Sequence, residues 1–250
     1  EQTVQLQESG RRSEWYAALG ANFSDRFYVG ASLNLQFVRY QQAFNFNERD
    51  VDNLHTFYES DPNGIFPLEF PMNSIRFSEE FNTRGNGISG QVGIIARPID
   101  QLRIAISAKT PTYLNLTDNI SRTELSHEFN VDEFSVAELS EDLPAAEYSY
   151  ILTTPFRATA GLMFLVGKAG FITADAEWVD YGNSSFSSGA TSINDPNFFD
   201  YSLTNSRIAN QYRPVFNLRL GGEARVDMLR LRAGFAYYPS PFTEEGAQYL

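Results

Sequence analysis

The chain of 250 residues contains no cysteine, and only two histidines and two tryptophans. Without cysteine there can be no disulfide framework, thiol nucleophile or cysteine-ligated zinc. His55 and His127 lie far apart and have no companion at metal-ligand spacing, so no metal or haem site is expected. Lysine is nearly missing too: Lys109 and Lys168 are the only lysines among 19 basic residues. Positive charge is outnumbered by 31 acidic residues, a net charge of −12, which argues against nucleic acid as a partner. No G-x-S-x-G elbow, H-E-x-x-H pair or phosphate loop occurs, so neither catalysis nor a cofactor is expected. No run approaches the roughly 18 apolar residues of a membrane-spanning helix. Residues 1–13 lack the basic and apolar regions of a signal peptide.

What is present is alternation. Phe27, Val29, Ala31, Leu33, Leu35 and Phe37 alternate with Tyr28, Gly30, Ser32, Asn34 and Gln36. Leu102, Ile104, Ile106 and Ala108 alternate with Arg103, Ala105, Ser107 and Lys109. Phe156–Val166 repeats the scheme. A period of two over about ten residues, with short turns at one end only, is the pattern of an outer-membrane β-barrel wall. The expected fold class is therefore all-β, an antiparallel transmembrane β-barrel with about eight strands within this chain.

Those strands are expected near 14–22, 26–46, 75–97, 101–117, 147–167, 170–187, 206–226 and 229–240. Tight connections fall at Phe23–Arg26, Pro98–Asp100, Gly167–Gly170 and Val226–Met228, and long ones at 47–74, 118–146 and 188–205. Short turns belong on the periplasmic side and long loops outside. Counting up from the tight turns, aromatics recur after about ten residues, the height of an apolar band between aromatic girdles. They are Tyr40, Tyr113, Trp178 with Tyr181, and Tyr237 with Tyr238.

If the apolar face meets lipid, the other lines the interior. Candidate lumen-facing residues are Arg103, Lys109, Arg157, Asp175, Glu177, Arg219, Glu223, Arg225, Arg230 and Arg232. On the lipid side an arginine at the bilayer midplane costs about 2–4 kcal/mol, which directs these charges inward. They form either a clamp for an anionic head group or a salt-bridge network bracing the lumen. The stretch 118–147 is acidic and reads as a solvated extension of two strands, or as a cation-dependent lipopolysaccharide contact or an entrance lip for a hydrophobic solute. Loop 54–77 is greasier than a free loop. Phe57, Phe66, Leu68, Phe70 and Met72 are its candidate outer hydrophobic site, expected to fold over the mouth.

Several stretches resemble one family. They include Glu14-Trp15-Tyr16-Ala17-Ala18-Leu19-Gly20-Ala21-Asn22, Gly85-Asn86-Gly87-Ile88, Thr154-Pro155-Phe156-Arg157, Asp175-Ala176-Glu177-Trp178 and Ser240-Pro241-Phe242. Together they are similar to the FadL/TodX family of outer-membrane transport proteins, especially Bacteroidetes members. The resemblance spans about residues 14–242, with the long loops matching poorly. It implies a 14-stranded barrel plugged by an N-terminal hatch, of which residues 1–250 are one portion, hatch and remaining strands lying outside this sequence. It further implies passive uptake of hydrophobic molecules of the long-chain fatty acid or hydrocarbon type. The partners implied are outer-membrane lipid, lipopolysaccharide and a hydrophobic small molecule. Some relatives instead act as non-transporting adapters in a larger complex such as type IX secretion, so protein partners are the alternative expectation.

Overall fold

The computed structural model describes residues 1–50, 56–60, 67–132, 135–190, 192, 194–195, 198–244 and 246; the side chains of 56–60, 67–72, 122, 129–132 and 135–139 lie outside that description. The strands are β1 (Gln2–Phe23), β2 (Phe27–Arg49), β3 (Thr56–Ser60), β4 (Pro67–Ile99), β5 (Leu102–Lys109), β6 (Tyr113–Asp132) and β7 (Ser135–Leu143). They continue with β8 (Ala146–Thr153), β9 (Arg157–Val166), β10 (Gly170–Asp180), β11 (Ser185–Ser188), β12 (Pro214–Val226) and β13 (Leu229–Tyr237). One helix, α1 (Ser202–Gln211), and a 3₁₀ turn at Tyr181–Asn183 complete the elements. All thirteen strands belong to one sheet, in the order β11-β8-β6-β4-β5-β9-β10-β12-β13, with β1 on β2, β2 and β3 on β4, and β7 on β6.

Eight strands are expected from the sequence, and the larger number has a local cause. Proline and bends interrupt long runs at 110–112, 144–145, 154–156 and 181–184. Pro111, Pro144 and Pro155 sit in these breaks, where a missing N–H costs no ladder bond. Joining β5 to β6, β7 to β8 and β9, and β10 to β11 restores eight runs, with β3 as a short extra strand. Other boundaries also differ. β1 starts at Gln2 instead of 14, because its backbone pairs β2 as far as Glu1 and Arg49, which exchange hydrogen bonds of 2.6 and 2.8 Å. The expected loop 118–146 is largely the β6–β7 hairpin, with Thr123 opposite Leu143. Residues 206–211 are the end of α1 and not strand. Pro98 lies within β4, where the register shifts between Ala96 and Ile99, and the turn falls at 100–101.

The chain divides into two compact units. The first comprises 1–12, 38–84 and 117–148. Its polar contacts run between neighbouring strands, as in Asn73 to Glu128 (2.6 Å), Thr83 to Asp118 (2.7 Å) and Gln41 to Asn82 (2.9 Å). Tyr40 donates its hydroxyl to the carboxylate of Glu8.

The second unit comprises 13–37, 85–116 and 149–250, and its burial is inverted. Phe27, Leu33, Phe37, Ile106, Leu162, Ile172, Phe216, Leu220 and Phe235 are exposed, whereas Asn34, Gln36, Ser89 and Asn217 are buried. Among the described residues, the buried apolar side chains are Leu114, Leu116, Pro155, Val179 and Val215. The alternation predicts this, because register brings the apolar positions of neighbouring strands onto one face. Ile104 faces Leu162, Leu162 faces Ala174, Ala174 faces Leu220, and Leu220 faces Phe235. A sheet with its apolar side outward is stable only where that side meets lipid. The fold class is that of an antiparallel membrane-barrel wall.

Backbone chemistry fixes two details. At Gly85 a Cβ would lie 2.2 Å from the Asn115 carbonyl oxygen and 2.5 Å from Leu116 Cδ2. Glycine there lets Leu116 cover the strand. At Gly170 the φ is +146° and a Cβ would stand 1.8 Å from the Glu223 carbonyl oxygen, so only glycine closes that turn.

Candidate functional site

The site is the polar face of the second unit, and the pleat decides what it contains. On β10, Phe171, Thr173, Asp175, Glu177 and Val179 share one side, opposite to Ile172, Ala174, Ala176 and Trp178. Register carries that side across to Arg157, Thr159 and Gly161 on β9, and to Asn217, Arg219 and Glu223 on β12.

Four of the sequence candidates meet in one network. Arg219 stands directly opposite Asp175, with Nε 3.0 Å from Oδ1, and its Nη2 is 3.8 Å from Glu177 Oε2. The Nε–Oδ1 approach is close but poorly aligned, leaving Nε without a formal hydrogen bond. Glu177 also accepts from Asn217 at 3.0 Å and from Arg157 at 3.5 Å. Asn217, 5 % exposed, thus completes a carboxylate that two arginines already approach. Its position two residues before Arg219 on the same strand face is the signal that sequence reading leaves unused.

A second cluster forms lower on the same face. Arg232 donates through Nε to Glu223 at 2.6 Å, and Arg225 approaches the other carboxylate oxygen at 3.9 Å. Arg230 is opposite Arg225, and Arg103 opposite Met163; neither has an ion pair among the described residues. Lys109 is opposite Arg157, two cations side by side on β5 and β9. Cation outnumbers carboxylate at that end of the network, where Arg157 has only its long contact to Glu177.

Beside this ladder a trough of about 610 Å³ opens along β1, β2, β4 and β5. Tyr16, Tyr28, Ser32, Asn34, Gln91 and Ser107 are among its lining residues, with Gly30, Gly93 and Ala105 leaving the space. Glu14 enters the trough and accepts from the buried Gln36 at 3.0 Å. The lining is mixed: aromatic rings and small residues surround a few hydroxyl and amide groups. Such a surface suits an amphipathic solute.

The aromatic expectation divides. Tyr113, Tyr237 and Tyr238 are exposed, and Trp178 packs beside Phe156 at a ring separation of 6.3 Å. Tyr40 departs from it: alternation puts it on the side of Asn34 and Gln36, where Glu8 takes its hydroxyl. Phe66 lies outside the described residues, as do the side chains of Phe57, Leu68, Phe70 and Met72. Of the segment expected as a loop, Thr56–Ser60 pairs with Pro67–Pro71 as a hairpin.

No family model matches this chain, and no curated protein does. Solved structures do. The chain is similar to a Pseudomonas aeruginosa FadL homologue at 15% identity and a TM-score of 0.49, over 94% of this chain and 51% of that one. It is similar to the Pseudomonas putida toluene transporter TodX at 11% identity and a TM-score of 0.37, over 94% of this chain and 72% of that one. The chain thus spans about half the length of the first of these proteins.

Proposed function

We propose that this chain is part of the wall of an outer-membrane β-barrel that lets hydrophobic small molecules cross that membrane passively. One observation carries the reading: the second unit exposes leucines and phenylalanines such as Leu33, Leu220 and Phe235 and turns asparagine, glutamine and paired charge to the other face. That arrangement needs hydrocarbon on one side and a hydrated or ligand-filled space on the other. The trough of about 610 Å³ supplies such a space, large enough for an extended chain or a small ring system.

The substrate class we favour is a long-chain fatty acid or hydrocarbon. A carboxylate head would find Lys109 and Arg157 at the cation-rich end of the ladder, while the apolar body lies along Tyr16, Tyr28 and Ala105. Transport needs no covalent chemistry from this wall. Its part is to exchange water for aromatic and aliphatic contact and to hold the head group by charge.

The test is mass spectrometry of small molecules extracted from the gently solubilised full-length protein. A fatty acid or hydrocarbon retained stoichiometrically is expected. An empty barrel that instead keeps a large protein partner would replace transport by an adapter role.

A further inference from the structure

Register in the first unit aligns three arginines that the ladder does not use. Glu1 and Arg49 exchange backbone hydrogen bonds, and Gln2 bonds Glu48. The same offset puts Arg11 of β1 opposite Arg39 of β2. Between β2 and β4 the contacts Gln41 to Asn82 and Asp50 to Asn73 share one offset, which puts Arg39 opposite Arg84. Arg11, Arg39 and Arg84 therefore form a row across three adjacent strands, about 5 Å apart from strand to strand. All three are exposed, and among the described residues none has an ion pair or a side-chain hydrogen bond.

Like charges placed directly opposite destabilise a sheet, so the row costs the wall something unless an anion joins it. Among the described residues, no acidic side chain pairs with the row. On the same face of β4, Glu80 is four residues further on, about 13 Å away. Glu8 lies on the opposite face of β1, engaged by Tyr40. Along β2 the face that shows Leu33, Leu35 and Phe37 reaches Arg39 at its next same-side position. Arg39 is twelve residues past Phe27, a climb of about 30 Å at usual rise and tilt against an apolar band of about 25 Å. The row thus stands where hydrocarbon gives way to head groups.

We propose that Arg11, Arg39 and Arg84 bind the phosphate groups of an anionic lipid of the outer leaflet. Guanidinium offers phosphate a planar, two-pronged donor, and arginine holds all three positions. The anion must carry an apolar body, since Leu35 and Phe37 occupy the same side of the strand immediately before it. A free phosphate has no use for them. The inference rests on the membrane-wall reading above.

The test uses the full-length protein in zwitterionic phosphatidylcholine nanodiscs, titrated with diphosphoryl lipid A, dephosphorylated lipid A and inorganic phosphate, and read by native mass spectrometry. Wild type should retain the diphosphoryl form selectively. The triple variant Arg11→Gln, Arg39→Gln, Arg84→Gln should bind it roughly a hundredfold more weakly, about fivefold per arginine. Equal retention of the dephosphorylated form, or no loss in the triple variant, overturns the site. Displacement of lipid A by inorganic phosphate at matched concentration makes it a free-anion site, and an acidic protein held through these arginines makes it a protein interface; either rejects the proposal. Should the glutamine chain fail to fold, the triple lysine chain decides: charge without the fork must give intermediate binding, and binding equal to wild type overturns the bidentate contact. A wild-type protein that stays soluble without detergent and shows no heat-modifiable gel band would defeat the membrane reading itself, separately from the lipid result.

Discussion

Asp175 and Arg219 face each other across β10 and β12, Oδ1 to Nε 3.0 Å, while the next residues on each strand, Ala176 and Leu220, turn to the opposite, apolar side. Two faces one side chain apart carry opposite chemistry. The wall works because the pleat never lets them mix. Arg219 is shared between Asp175 and Glu177, so its loss should exceed the loss of either partner alone. Arg219→Met should cost about 1–3 kcal/mol and Asp175→Asn about 1, with the double variant less than additive. Urea unfolding of the full-length protein in liposomes measures all three.

Charge placed on the two faces should separate them cleanly. Leu162, opposite Ala174 and so midway between the Gly170 turn and Trp178, is 53% exposed on the apolar side, and Leu162→Arg should cost about 2–4 kcal/mol near the bilayer midplane. Thr159→Arg, on the polar side next to Glu177 in register, should fold close to wild type. The fraction of protein running as a heat-modifiable band reports both.

The turn between β9 and β10 holds two glycines with different duties. Gly170→Ala drives a Cβ into the Glu223 carbonyl at a φ of +146°, and should destabilise by about 2–4 kcal/mol. Gly167 has a φ of +53° with nothing within 4 Å, so Gly167→Asn should stay within about 1 kcal/mol of wild type. Equal losses at the two sites would show that crowding against β12 is not what selects Gly170.

Trp178 lies on the apolar side, opposite Phe216 and Ala158. In a Trp15→Phe background its fluorescence should be quenched by lipids brominated near the head group more than by lipids brominated at the chain end. Quenching by aqueous iodide alone would put this ring on the watered side.

The wall was legible because period two is written directly into residues such as Phe27–Phe37 and Leu102–Lys109, with no long-range information needed. Turn residues such as Ser24 and Asp25, both with positive φ, mark the hairpins equally locally. The sequence hides the interruptions, because Pro111 reads the same at the end of a strand as between two strands of one run. It hides α1 too. Ser202–Gln211 carries no acidic first turn and no side-chain cap, and docks through Asn205, whose amide bonds both backbone groups of Phe186 at 2.7 and 2.8 Å. The charges that share the polar face can be named from parity, but their partners depend on register. Asn217 joins Glu177 only because β12 is offset from β10 as it is. Tyr40 shows the converse error, spacing taken without parity.

Inverted burial also bears on how such a chain reaches its membrane. Because the wall strands alternate, no apolar run approaches the length of a membrane-spanning helix, and mean hydropathy over the chain is −0.32. Machinery that sorts helical membrane proteins by long greasy segments would pass this chain as if it were water-soluble. The cost falls during transit: a chain with almost no interior of its own cannot hide its leucines and phenylalanines in water, so it must travel unfolded under escort and fold where lipid takes the place of a core.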